Sequence, residues 1–220
     1  MTRTAVIWTL LALLPAAFAL GSIPFGLLIG RLRGVDVRGI GSGNIGATNV
    51  GRALGKRYFF LVLLLDAVKA ALPAGVASIL VHANLPPAER DAGIYGLWIG
   101  AGVAAMLGHI FSPFLKFRGG KGVACGLGLV LGVFPYLTLP GVVALTLFVA
   151  IFKVTRYISL GSIVAAASLP VTYLIFAWLL GWSLDRQWPV LLLLALVAGL
   201  VVVRHRTNIQ RLIAGTEGKT

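Results

Sequence analysis

Acidic residues are scarce: 6 Asp and Glu stand against 19 Lys and Arg in 220 residues, and the charged types together make up only 11%. Soluble domains carry about 25% charged residues, so an ordinary soluble globule is excluded. Cysteine occurs once, at Cys125, which rules out an internal disulfide and any cysteine-ligated cluster. Its Gly-rich apolar surroundings suit a packed, inert thiol. The 3 histidines, His82, His109 and His205, have no Cys, His or carboxylate at ligand spacing, so neither a metal nor another cofactor is expected. Internal repeats, low-complexity tracts and linkers are also lacking, and residues 1–220 read as one domain.

Apolar residues are what is abundant, at 59%, with a mean hydropathy of +0.97. Runs near 20 residues match the ~30 Å hydrocarbon layer crossed by helices. The expectation is an all-α, polytopic integral membrane protein of about seven transmembrane helices. They fall near Val6–Ile29, Tyr58–Val81, Gly93–Phe111, Val123–Phe134, Leu137–Phe152, Leu160–Leu180 and Pro189–Val203. The fourth and fifth are short and flank Pro135, and read either as two helices or as one broken helix. With the N-terminus outside and the C-terminus cytoplasmic, fifteen Lys and Arg fall on the inner side and only Arg3, Arg90 and Arg186 outside, as the positive-inside rule requires. That asymmetry accounts for most of the net charge of +13 without a nucleic-acid partner. Ala17-Phe18-Ala19 resembles a signal-peptidase site, but a retained first span is the preferred reading.

Three polar, Gly-rich segments fall on the inner side of this topology. The first, GIGSGNIGATNVGR at 39–52, contains G-x-G-x-x-G at Gly41, Gly43 and Gly46, with Asp66 twenty positions later. A dinucleotide-binding turn needs a strand before it and a βαβ context. Val35–Arg38 can pass as a short strand, but it leaves a membrane span directly, and Asp66 belongs to the next span. What remains is a loop able to bring backbone N–H groups to an anion, with Ser42, Asn44, Thr48, Asn49 and the planar fork of Arg52 beside it. The alternative is a flexible loop among lipid headgroups.

The second segment, FLKFRGGKGVA, sets Lys116, Arg118 and Lys121 around Gly119, Gly120 and Gly122 ahead of an apolar helix, an arrangement suited to anions. It is not a Walker loop, since Leu115 and Gly122 occupy two defining positions. The third, RHRTNIQRLIAGTEG, places His205 and Asn208 on one helical face and adds Arg211 and Glu217. A structural contact competes with a catalytic one for His205, and packing competes with site support for His109. Inside the second span Asp66 and Lys69 sit at i, i+3, the spacing of a structural ion pair. Ser159 suits either a helix cap or a phosphate donor. H-x-x-x-x-D and D-x-x-D-G signatures of other lipid-modifying enzymes are absent.

The stretches GSIPFG at 21–26, GSGNIGATNVGR at 41–52, GHIFSPFLKFRGGKGVA at 108–124 and the tail with His205, Asn208 and Glu217 resemble the bacterial acyl-phosphate:glycerol-3-phosphate acyltransferase family over nearly the whole chain. The resemblance implies a multi-pass inner-membrane enzyme with its active site at the cytoplasmic face. It would move an acyl group from acyl phosphate to the 1-hydroxyl of sn-glycerol 3-phosphate, giving lysophosphatidate and inorganic phosphate, without a cofactor. Membrane lipids are its medium, and a functional link to the enzyme that makes acyl phosphate follows. Matched to the family motifs, Ser42, Arg52, His205 and Asn208 take catalytic roles. Gly41, Gly43, Asn44, Gly46, Thr48, Asn49, Lys116, Arg118, Gly119, Gly120, Lys121, Gly122 and Ser159 contact substrate, while Asp66, Lys69 and Glu217 are structural. A transporter of phosphorylated solutes is the rival reading; it lacks an inverted repeat, and its polar groups belong near the midplane rather than at one face.

Overall fold

The computed structural model describes residues 1–219, and among them every regular element is helical. The α-helices are α1 (Arg3–Gly21), α2 (Phe25–Leu32), α3 (Ala47–Leu54), α4 (Lys56–Asn84), α5 (Ala92–Ile110), α6 (Val123–Gly132), α7 (Thr138–Thr155), α8 (Ile158–Leu179), α9 (Leu184–Arg204) and α10 (Arg206–Ile213). Six stretches are long and apolar enough to span a membrane: 3–32, 56–84, 92–115, 138–155, 158–179 and 184–204. Helix α6 is apolar but has only 10 residues, about 15 Å of rise against a hydrocarbon layer of about 30 Å.

The first expected span is two helices rather than one. Pro24 has no N–H to continue the ladder, and the chain turns at Ser22–Pro24, where the Ser22 hydroxyl donates 2.8 Å back to the Phe18 carbonyl. The break frees the Ile23 carbonyl, which accepts from Lys69 Nζ at 2.8 Å. At Pro135 the two-helix alternative holds: α6 and α7 are separate helices with the segment 133–137 between them.

Small residues set the helix spacing. A methyl group added at Gly128 would stand 1.9 Å from the Ala67 carbonyl oxygen, and one at Gly132 would stand 2.5 Å from Ala74 Cβ. Cys125 Sγ reaches the Asp66 carbonyl at 3.1 Å, while Ser78 Oγ donates to the Gly132 carbonyl at 2.6 Å. Rising residue numbers on α6 thus meet rising numbers on α4, so the two helices run in the same direction. Helices α1 and α5 pack as closely and also run in the same direction: Arg3 meets Asp91 where they start, Gly21 lies against Ala105 and Gly108 against Phe18, and the Ser112 hydroxyl just past α5 donates to the Ser22 carbonyl at the end of α1. Between apolar helices in lipid, association relies on such close van der Waals contact.

Contacts at both ends fix the bundle. At one end the Met1 amino group donates to Asn84 Oδ1 at 2.7 Å, Arg3 pairs with Asp91, and the rings of Tyr95, Tyr136 and Trp182 meet edge to face. Tyr173 and Gln187 extend that cluster through a 2.6 Å hydrogen bond. At the opposite end lie the three polar segments. The first of them rests on its own apolar cluster of Leu27, Val37, Ile45, Val50, Tyr58, Val62 and Leu115, separate from the main core. Helices α3 and α10, both amphipathic and too short to span, lie at this loop end.

Replacing Gly128 with Ala should lower the thermal unfolding midpoint in detergent, because the added carbon meets backbone atoms that no rotamer change can move; overpacking of this kind costs about 1–3 kcal/mol. Gly126→Ala is the control, since a methyl group there meets nothing within 4 Å, and it should leave the midpoint unchanged or raise it. Equal midpoints for the two variants would refute the close α4–α6 packing.

Candidate active site

The first segment is shaped by asparagines. Asn49, 2% exposed, accepts from the Ser42 amide at 2.9 Å through Oδ1 and donates to the Val37 carbonyl at 2.8 Å through Nδ2. Asn44 Oδ1 accepts from the Gly46 amide at 2.9 Å. Gly41 and Gly43 take φ of +55° and +67°, in the left-handed region that favours glycine. Gly46 is the N-cap of α3, and Val35–Arg38 contributes no strand: Asp36 caps a 3-10 turn at Val37–Gly39. Asn49 therefore builds the loop from behind, and Ser42 and Asn44 face outward from it. Thr48 is half-buried, and Arg52 is exposed with its guanidinium 3.4 Å from the Gly218 carbonyl.

In the second segment the Gly119 amide donates to the Ile110 carbonyl at 3.0 Å and the Gly120 amide to the His109 carbonyl at 3.1 Å. Those two amides are occupied, contrary to the expectation that they hold an anion. Glycine is required there for another reason: a methyl group at either position would stand 2.0 Å from His109. The carbonyls of the same two residues accept from the Arg204 guanidinium, at 2.8 Å and 3.2 Å to Nη2. Gly122, at φ +85°, is the N-cap of α6 and leads into its first turn, whose amides have no intrahelical acceptor. Lys116 and Arg118 are exposed and do not line the cavity; Lys116 and Phe117 both adopt positive φ, which turns the chain outward there.

The third segment closes the site. Lys121 Nζ donates to Asn208 Oδ1 at 2.5 Å, and Asn208 Nδ2 donates to Glu217 Oε1 at 2.6 Å. Ser159 Oγ also donates to Glu217 Oε1, at 2.7 Å, and Arg211 Nε donates to Oε2 at 2.7 Å. Ser159 is not a helix cap: Tyr157 occupies that position and the hydroxyl is committed to Glu217. His205 is 2% exposed, with Nδ1 2.8 Å from the Val201 carbonyl. A ring nitrogen facing a carbonyl carries its proton, which leaves the Nε2 lone pair free.

These segments enclose a cavity of about 240 Å³ lined by Ser42, Asn44, Lys121, Val203, Arg204, Arg206, Thr207 and Arg211. It is smaller than the ~300–1,000 Å³ of drug-sized pockets, and its wall carries four cationic side chains. Sequence reasoning found Ser42, Asn44 and Lys121 but missed Arg204, Arg206 and Thr207, whose charges and hydroxyl read only as a basic flank to the last span. The crowding of three basic residues into 204–211 beside His205 was the available signal.

Burial pushes the Lys121 ammonium down to about 8, and the charges of Arg211, Arg52 and Arg204 act the same way against the pull of Glu217. Burial also pushes His205 down to about 4, helped by the Lys121 charge, so the imidazole is neutral near pH 7. Burial alone would raise Glu217, but hydrogen bonds from Asn208, Ser159 and Arg211 outweigh it and hold the carboxyl below its usual range. The site thus combines cations, a neutral imidazole and an ionised carboxylate that fixes the Asn208 amide.

Asp66 and Lys69 lie outside the cavity. Lys69 Nζ is 2.8 Å from Asp66 Oδ1, both side chains are no more than 2% exposed, and His109 Nδ1 stands 3.6 Å from the same oxygen. The Gly120 carbon packs on the His109 ring, so this buried pair sits directly beneath the second segment.

Residues 11–215 match the family described as glycerol-3-phosphate acyltransferase. A protein of that name from Geobacter sulfurreducens is 46% identical over 211 residues, 95% of this chain and 96% of the relative. One from Aquifex aeolicus is 40% identical, over 91% and 94% of the two chains. Two crystal structures of the integral membrane glycerol 3-phosphate acyltransferase PlsY also match at 38% identity. The glycerol 3-phosphate form gives a TM-score of 0.79 over 96% of both chains, and the lysophosphatidic acid form gives 0.75 over 96% and 95%. With the helical bundle, the three converging segments and these matches in agreement, the chain belongs to the glycerol-3-phosphate acyltransferase family.

Proposed function

We propose that the protein transfers a fatty acyl group from acyl phosphate to the 1-hydroxyl of sn-glycerol 3-phosphate, releasing inorganic phosphate and lysophosphatidate. The loop end would face the cytoplasm of a bacterial inner membrane. The observation that carries the reading is the small cavity in which Lys121, Arg204, Arg206 and Arg211 converge with Ser42, Asn44 and Thr207. Both substrates bring phosphate and would be drawn to it, and the two similar PlsY structures are a glycerol 3-phosphate form and a lysophosphatidic acid form.

Acyl phosphate is a mixed anhydride with a stable leaving group, so the protein has mainly to align two anions and offset their charge as it moves onto the departing phosphate. Lys121 is the central cation. Asn208 holds it, and Glu217 holds Asn208 in the orientation that keeps the amide oxygen toward Lys121. The substrate hydroxyl attacks the acyl carbon, its proton leaves, the acyl C–O bond to phosphate breaks, and the electron pair departs with phosphate. A phosphate monoester, with a second pKa near ~6, is a stronger base than an imidazole pushed down to about 4. A substrate phosphate oxygen is therefore assigned as proton acceptor, and His205, buried and not among the residues lining the cavity, is the rival base.

Purified protein given both substrates in detergent should release phosphate only when both are present; release with one alone, or none, would sink the assignment. Lys121→Ala should raise the KM for glycerol 3-phosphate about 10- to 100-fold, as the loss of a charge-assisted hydrogen bond of about 1.5–3 kcal/mol implies. Arg52→Ala should raise it less, its guanidinium standing at the rim. If neither KM moved, the phosphate site would lie elsewhere. Because Lys121 binds phosphate in its charged form, apparent affinity should be full between the second phosphate pKa of about 6 and the Lys121 value of about 8 and weaken as pH rises through the latter, and Lys121→Arg should flatten that decline. His205→Gln should lower kcat by less than the ~10²-fold minimum typical of a lost general base; a larger fall with binding intact would make His205 the base.

A further inference from the structure

A second cavity, of about 260 Å³, lies apart from the catalytic one and shares no lining residue with it; Ile29, Leu32, Arg33, Tyr58 and Leu61 form its walls. It sits where the C-terminal end of α2 meets the N-terminal end of α4. Its walls are apolar except at one end. There the Arg33 guanidinium lies 5.2 Å from the centre of the Tyr58 ring, and that of Arg57, which is not among the lining residues, lies 4.8 Å from the same centre. Two like charges stacked on one ring repel each other, and among the described residues neither pairs with a carboxylate. Tyr58 is only 7% exposed and is held in the apolar cluster beneath the first polar segment, yet its hydroxyl makes no hydrogen bond among the described residues. Away from the arginines, Leu28, Leu32, Leu61 and Leu64 continue the groove as an exposed apolar face along the two helices.

We infer that this groove binds one anionic phospholipid of the bilayer, with the headgroup phosphate at the end marked by Arg33 and Tyr58, attracted by both Arg33 and Arg57, and an acyl chain along Leu32 and Leu61. A phosphate diester offers what the site lacks: a negative charge shared by two guanidiniums, and an acceptor for the Tyr58 hydroxyl. The apolar floor excludes a free inorganic anion as the natural occupant, because phosphate alone would leave that surface uncovered. The position at a membrane-exposed helix end matches the depth at which basic side chains meet anionic headgroups.

Native mass spectrometry of the full-length, detergent-purified protein tests this directly, with phosphatidylglycerol and phosphatidylcholine titrated in turn. The intact protein should bind the first phosphatidylglycerol roughly thirtyfold more tightly than phosphatidylcholine, as two headgroup cations imply. Arg33→Gln with Arg57→Gln should abolish that preference, and Lys153→Gln, a basic residue on another helix, should not. Leu61→Trp, which fills the groove without changing charge, should also expel the lipid, and it serves if the double variant fails to fold. An unchanged preference in the Arg33/Arg57 double variant or in Leu61→Trp would overturn the proposal. So would displacement of the bound lipid by inorganic phosphate alone.

Discussion

Two peptide groups, those of Gly119 and Gly120, tie three helices to a single point. Their amides donate to the carbonyls that end α5, and their carbonyls accept from Arg204 at the end of α9. Immediately after them the chain enters α6. In an apolar environment an unmatched peptide group costs several kcal/mol, so two glycines whose amides and carbonyls are all engaged are held in place. Lys121, the next residue, inherits that rigidity. Nothing larger than hydrogen fits at either glycine because His109 lies against both, which explains Gly-Gly without invoking a ligand.

Below this point the charges are neutralised within the bundle and above it they are left free. Asp66 and Lys69 form an ion pair on α4 beside the break after α1, where the Ile23 carbonyl takes the ammonium. Their pairing allows a polar cluster deep among apolar helices, where an isolated charge would cost about 2.5–3.5 kcal/mol on insertion scales. At the loop end Glu217 is, among the described residues, the one carboxylate drawn into the polar cluster around the cavity. It binds Ser159, Asn208 and Arg211 and leaves Lys121, Arg204 and Arg206 with an excess of positive charge. That excess is what a phosphorylated substrate would neutralise.

The short α6 follows from the same arrangement. A helix of full length would carry the Gly119–Lys121 loop to the surface; ten residues begin it within the bundle, against α4, where small residues permit backbone contact. The loop can then lie beside the junction of α9 and α10, where Lys121 reaches Asn208.

The sequence by itself determined the membrane class, the positions of the long helices to within a few residues, and the three segments that form the site. Those properties follow from hydrophobic length, charge asymmetry and glycine content, each of which acts locally along the chain. The Pro24 break and the short helices α3 and α10 were less legible, because apolar composition continues through the first and charged composition masks the others. The exclusion of Lys116 and Arg118 from the cavity, the inclusion of Arg204 and Arg206, and the diversion of Ser159 to Glu217 were decided only by tertiary structure. A basic residue beside a glycine looks the same in sequence whichever way it turns. Its direction is set by which carbonyls and carboxylates from distant helices lie within hydrogen-bond reach, and that is a property of the packed bundle.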